Sequence, residues 1–129
     1  MSIFSRIISG EIPSYKIAED NNFLAFLDIA PLVYGHVLIV PKKETDKIFD
    51  LDDEILSQML VFAKPIAKTL ERVFDCKRCG ISVVGLEVPH AHMHLVPINS
   101  ADDLNFTRRK LSPKQHELEA IQNKIISAL

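Results

Sequence analysis

What the chain has little of already narrows what it can be. It has only two cysteines in 129 residues, too few for a disulfide framework, so reduced thiols and a cytoplasmic setting are expected. The pair does form Cys76-Lys77-Arg78-Cys79, but one C-x-x-C without a second pair is a weak zinc or redox signal. Positive charge is not in excess. A formal net charge of −2 gives no general attraction to polyanions, and Lys42-Lys43 and Arg108-Arg109-Lys110 read as solvated edges or loops rather than a nucleic-acid face. Long apolar runs are missing too: stretches such as Val37–Val40 are far too short to cross a bilayer. Met1–Arg6 lacks the basic-then-apolar order of a secretory leader. Neither nucleic acid nor membrane is an expected partner, and no repeat or low-complexity segment is visible.

What remains is ordinary in composition, with 47% hydrophobic and 25% charged residues, and of a length suited to one domain with one core, residues 1–129. Apolar residues at 3, 4, 7 and 8 have helical spacing, stopped by Gly10 and Pro13. Tyr15–Ala18 and Phe23–Leu27 form a predicted hairpin across Glu19–Asn22. A third strand, His36–Val40, lies between Gly35 and Pro41. A helical stripe then runs over Leu51–Phe74, capped by Asp50, with a kink or a lost hydrogen bond expected at Pro65. Ile81–Val84 and His90–Ile98 are the fourth and fifth strands. Ser112-Pro113-Lys114-Gln115 reads as the start of a last helix, with cap, first-turn proline and capping-box glutamine. Strands and helices without regular alternation predict an α+β fold with an antiparallel sheet.

The most informative segment is His90-Ala91-His92-Met93-His94-Leu95-Val96-Pro97. On a strand, alternate side chains face opposite ways, so the three imidazoles project to one side and Ala91, Met93 and Leu95 to the other. Spacing alone leaves three readings open. The histidines are partly exposed without chemistry; or they ligate a metal, with Glu87 the only carboxylate nearby in sequence; or one neutral imidazole is a nucleophile oriented by its neighbours.

That segment resembles the histidine triad family, and the resemblance continues, collinear, through Ile3-Phe4, Ile7-Ile8, Gly10–Ser14, Glu19-Asp20, Leu24–Ile29, Pro31 and Gly35–Lys43, covering residues 3 to 98 and leaving 99–129 as a C-terminal extension. The resemblance implies a histidine-triad-like fold: a five-stranded antiparallel sheet, one long helix, a short N-terminal helix and a C-terminal helix. It also implies a homodimer whose sheets join, and a site for a purine nucleoside monophosphate. In that site Ile3, Phe4, Ile7, Phe26 and Ile29 would line the base pocket, and Asp28 would hold the ribose hydroxyls. Gly85 and Glu87 fall in the loop that would meet the phosphate. His92 would attack the α-phosphorus and form a nucleotidyl-histidine. A main-chain carbonyl would hold its other ring nitrogen, His90 and His94 would bind phosphoryl oxygens, and His36 would buttress the triad. The implied activity is hydrolysis or transfer on a phosphoramidate or dinucleoside polyphosphate. Its rivals are a nucleotide-binding module with little turnover and a metal-dependent hydrolase.

Two departures from the family pattern stand out. Several members bind zinc through two N-terminal cysteines, a histidine and the first triad histidine; the matching positions here are Ser2, Ser5, Glu44 and His90, so no metal and no cofactor is expected. In the loop before the triad, Leu86 and Glu87 stand where the family places glutamine and a small polar residue, and its asparagine is missing.

Overall fold

The computed structural model describes residues 1–129. Its strands are β1 (Lys16–Glu19), β2 (Phe23–Leu27), β3 (Val37–Pro41), β4 (Arg78–Ser82) and β5 (Met93–Ile98). They form one antiparallel sheet in the order β1-β2-β3-β5-β4. The helices are α1 (Ile3–Ile8), α2 (Asp53–Val73) and α3 (Gln115–Ile126). This is the expected α+β architecture. No helix is long and apolar enough to cross a membrane.

All residues of the inner strands β2 and β3 are buried, because both faces of the sheet are covered. Alternation sorts their side chains. Phe23, Ala25, Leu27, Val37 and Ile39 join Met59, Ala63, Ile66 and Leu70 of α2 in the main core. Leu24, Phe26, Leu38 and Val40 form a smaller cluster with Phe4 of α1 on the other face. The candidate site residues lie on that second, thinly covered face. Leu118, Ile121 and Ile125 of α3 belong to the main core, so the segment after residue 98 is built into the fold.

Several element ends differ from the sequence-based expectation for identifiable reasons. Asp52 rather than Asp50 caps α2, accepting from the Ile55 N–H at 3.1 Å. Pro65 does not interrupt that helix; it lies on the exposed face, where water can serve the carbonyl left without a partner. The last helix starts at Gln115, and Glu117, not Gln115, returns its side chain to the cap, accepting from the Lys114 N–H at 2.9 Å. β4 lies earlier than expected because it is fixed by its partner, Arg78 opposite Ile98 through Ser82 opposite His94.

The largest difference concerns the triad. β5 begins at Met93, so His90 and His92 precede the ladder. β3 pairs with β5 through Ile39 opposite Met93, and the next pair in that register would set Pro41 against Ala91. Proline has no N–H to give, so the ladder stops. The Ala91 N–H turns instead to the Thr45 carbonyl at 2.6 Å.

Candidate active site

The three triad rings still share one face, but their surroundings divide them. His92 and His94 line an open groove of about 450 Å³ with Asp28, Gly85, Glu87 and Phe106. Asp28 also lines an adjoining cavity of about 170 Å³, walled by Ile3, Phe4, Ile7, Phe26 and Ile29. Asp28 is thus the seam between an apolar recess and the histidine groove. Every residue expected to line the base pocket is in the recess, and Gly85 and Glu87 are both in the groove. Phe4 forms the wall between the two, edge-on to Phe26 at 5.7 Å and to His92 at 5.0 Å between ring centroids. Gly85 has φ +74°, a conformation that costs glycine little and other residues more.

The hydrogen bonds assign each ring its tautomer. The Leu32 N–H donates to His36 Nδ1 at 3.1 Å, so that nitrogen carries a lone pair and the proton sits on Nε2. His36 Nε2 then donates to His94 Nδ1 at 2.9 Å, which leaves the His94 proton on its own Nε2. That atom makes no hydrogen bond within the protein, and no buried side-chain N or O lacks a partner, so it opens on the groove as a donor. Burial holds both rings neutral, reinforced by neighbouring positive charge: His36 is lowered to about 3 and His94 to about 4.

His92 runs the other way. Its Nδ1 donates to the His90 carbonyl at 2.7 Å, which puts the lone pair on Nε2, also facing the groove. A donor and a lone pair therefore stand side by side, with His92 and His94 centroids 5.1 Å apart. Asp28 is raised above the usual carboxylate range by burial, against the Ala30 N–H that it accepts at 2.9 Å. Its second oxygen lies 3.7 Å from His36 Nε2.

His90 does not take the expected place among the phosphoryl ligands. It is fully buried, donates from Nε2 to the Pro41 carbonyl at 2.8 Å and accepts at Nδ1 from the Ser2 hydroxyl at 2.7 Å. Neither nitrogen is left for a substrate. Around it Glu44 accepts from the Ser5 hydroxyl at 2.7 Å and from the Ser2 N–H at 2.5 Å; these bonds pull Glu44 down to about 2. Of these four side chains only one carboxylate and one imidazole are good zinc donors, and the imidazole nitrogen facing the others already accepts from a hydroxyl. The set does not fit a structural zinc.

A second metal grouping was not legible in the sequence. Ligand atoms of Asp28, His36 and His94 lie within 4.8 Å of one another. A cation there would have to break the His36–His94 hydrogen bond. Also unforeseen were Phe106, Thr107 and Lys110 in the groove. They come from the irregular segment before α3, where no periodic pattern signals a site. The two cysteines are free and lie elsewhere; burial pushes Cys79 up to about 12, leaving a protonated, unreactive thiol.

Comparisons with known proteins agree with this geometry. The HIT domain family model matches residues 9–101. An uncharacterized HIT-like protein of Borreliella burgdorferi is 38% identical over 113 residues, 82% of this chain and 81% of that protein. Adenosine 5'-monophosphoramidase HNT1 of Saccharomyces cerevisiae is 40% identical over 96 residues, 74% of this chain but 61% of that relative, so the chain spans less than two thirds of its length. Among solved structures, a Hit-like protein involved in cell-cycle regulation from Bartonella henselae, crystallised with an unknown ligand, superposes with a TM-score of 0.84 at 30% identity, covering 99% of this chain and 96% of that one.

Proposed function

The chain belongs to the HIT domain family, and from that premise we propose that it hydrolyses or transfers at the α-phosphorus of a purine nucleotide derivative through a nucleotidyl-His92 intermediate. One observation carries the reading: His92 Nδ1–H is held by the His90 carbonyl at 2.7 Å, so the Nε2 lone pair meets the groove beside the Nε2–H of His94. The base enters the apolar recess, the ribose hydroxyls meet Asp28, and the phosphoryl group lies over the two histidines. His92 Nε2 attacks phosphorus, and the P–N or P–O bond to the leaving group breaks. The leaving group takes the electron pair and a proton from groove water. The phosphorylated ring is cationic, and the His90 carbonyl stabilises it through Nδ1–H. Water then attacks the same phosphorus, the P–N bond to His92 breaks with its electron pair returning to Nε2, and the proton released by the water goes back to the groove solvent. Throughout, His94 donates to a phosphoryl oxygen from a preorganised position, and His36 keeps its proton on the correct nitrogen. His90 acts through its carbonyl and its packing, not its ring nitrogens. A relative that is an adenosine 5'-monophosphoramidase favours adenosine phosphoramidates as first substrates.

The test is turnover of adenosine 5'-phosphoramidate, with and without chelator, beside His92→Ala. Wild-type turnover that ignores chelator, at least a thousandfold loss in the variant, and an adenylylated His92 peptide in quenched reactions are expected. Activity abolished by chelator would move the reading to Asp28, His36 and His94 as metal ligands. A second reading, nucleotide binding with little turnover, is favoured by Leu86: 88% exposed and in the groove, its side chain offers the phosphate no donor. Tight adenosine monophosphate binding without turnover of any phosphoramidate or dinucleoside polyphosphate would select it.

The proposed assembly is a homodimer across β4. That strand is a sheet edge, with Ile81, Val83 and Val84 exposed along and just after it, and an unpaired apolar edge invites a second strand. A chain that stays monomeric in light scattering at tens of micromolar would remove this pairing.

A further inference from the structure

We propose that Lys110 is the charge-recognition residue of the histidine groove, its ammonium binding the phosphoryl oxygens of a nucleoside 5'-phosphate where the side chains of Leu86 and Glu87 provide no donor. The inference rests on the nucleotide reading above, and it concerns a residue outside the 9–101 match to the family model.

Lys110 is the only lysine or arginine lining the groove, against the carboxylates of Asp28 and Glu87. Without it the groove would present two carboxylates and no lysine or arginine where a substrate dianion must sit, and like charges at close range oppose binding. Its place is fixed. Nζ donates to the Phe106 carbonyl at 2.5 Å and, at 3.5 Å, to that of Arg108. Those bonds occupy two of the three N–H groups of an ammonium and leave one for an anion. The Phe106 ring packs against His94 at 4.5 Å between centroids, which ties the ammonium to the triad. The segment is strapped on both sides of Lys110. Arg108 donates to the Leu32 carbonyl at 2.7 Å and bridges Asp102 and Asp103 at 3.2 Å, while the Leu111 N–H reaches the Pro31 carbonyl at 2.9 Å. The positive charge is felt at the site, opposing the burial that raises Asp28 and adding to the burial that lowers His36 and His94. Lys110 takes part in none of the protein's ion pairs. A positioned cation in a recess, with an unspent donor and no internal counter-ion, is an anion ligand.

The experiment is calorimetric titration of the full chain with adenosine monophosphate and with adenosine, comparing wild type, Lys110→Met and Lys110→Arg. Loss of one charge-assisted contact predicts that Lys110→Met weakens the nucleotide tenfold or more. Adenosine affinity stays within twofold, Lys110→Arg keeps most of the nucleotide affinity, and added salt weakens wild type more than Lys110→Met. Nucleotide affinity unchanged in Lys110→Met overturns the assignment while leaving the nucleotide reading standing. Equal loss of nucleotide and nucleoside, or an arginine variant as weak as methionine, also overturns it, since either would make the role one of packing. A wild type that binds neither ligand overturns the nucleotide reading, and this inference with it.

Discussion

The two ends of the triad look interchangeable in sequence and are opposites in the fold. His94 and His90 are both buried, both neutral by desolvation, and each lies one residue beyond an apolar neighbour. At the His94 end, a relay from the Leu32 N–H through His36 uses up one nitrogen and delivers the other to the groove as a donor. At the His90 end, Pro41 and Ser2 use both. The difference is made by two local details, a proline carbonyl with no opposing strand N–H and the hydroxyl of a serine at a helix N-terminus. Alternation puts side chains on one face, and their hydrogen-bond partners decide which of them can do chemistry.

The widest separation between the two ends should come from alanine substitution. His94→Ala removes a preorganised phosphoryl donor and is expected to lower kcat by about 100-fold. His90→Ala strands the Pro41 carbonyl and the Ser2 hydroxyl beside a new cavity, and should lower unfolding free energy by about 3 kcal/mol. Steady-state kinetics and urea melts on both variants give the crossover. Equal kinetic and equal stability effects would erase the distinction.

Acid should act on the shared property. His36 and His94 titrate near 6.5 when unfolded but at about 3 and about 4 when folded. Below pH 6.5 the unfolded chain therefore takes up protons that the folded one refuses, and stability falls as pH falls, down to the folded values. Between pH 7 and pH 5 the loss should be about 2 kcal/mol for each ring, on the order of 4 kcal/mol for the two, measured as a shift in the urea midpoint. His36→Gln should flatten this dependence. A wild-type midpoint that is constant over that window would show that these rings are not held neutral.

The smallest effect belongs to the polar clasp of the His90 end. Ser2→Ala deletes both the α1 cap and the partner of His90 Nδ1, at a cost of about 1 kcal/mol, with turnover largely kept. The same end should hold no stoichiometric zinc after dialysis against the metal. Zinc retained by wild type and lost in His90→Ala would make that end a metal centre and undo the contrast.

Much of this was readable beforehand. The all-apolar runs of β2 and β3 and the amphipathic stripe of α2 gave the layers, because period and burial are properties of the chain itself. The grouping of Ile3, Phe4, Ile7, Phe26, Asp28 and Ile29 was legible only through the family resemblance. Taken alone, each is ordinary core or turn. The scarcity of good zinc donors at the His90 end was visible in Ser2, Ser5 and Glu44. What stayed hidden were residues whose role depends on distant partners. Lys110, Phe106 and Thr107 lie in a segment with no period, and nothing local says that Arg108 and Leu111 fasten it beside the triad.

The sequence by itself determined the elements, the face on which the histidines lie and the chemistry available to them, since these follow from side-chain type and spacing along one chain. The tertiary structure alone decided which histidine nitrogen carries a proton, which ring is closed off and which cation stands in the groove. Each of those depends on a carbonyl, an N–H or an ammonium brought in from far along the chain, and hydrogen bonds and charges act over a few ångströms of space without regard to separation in sequence.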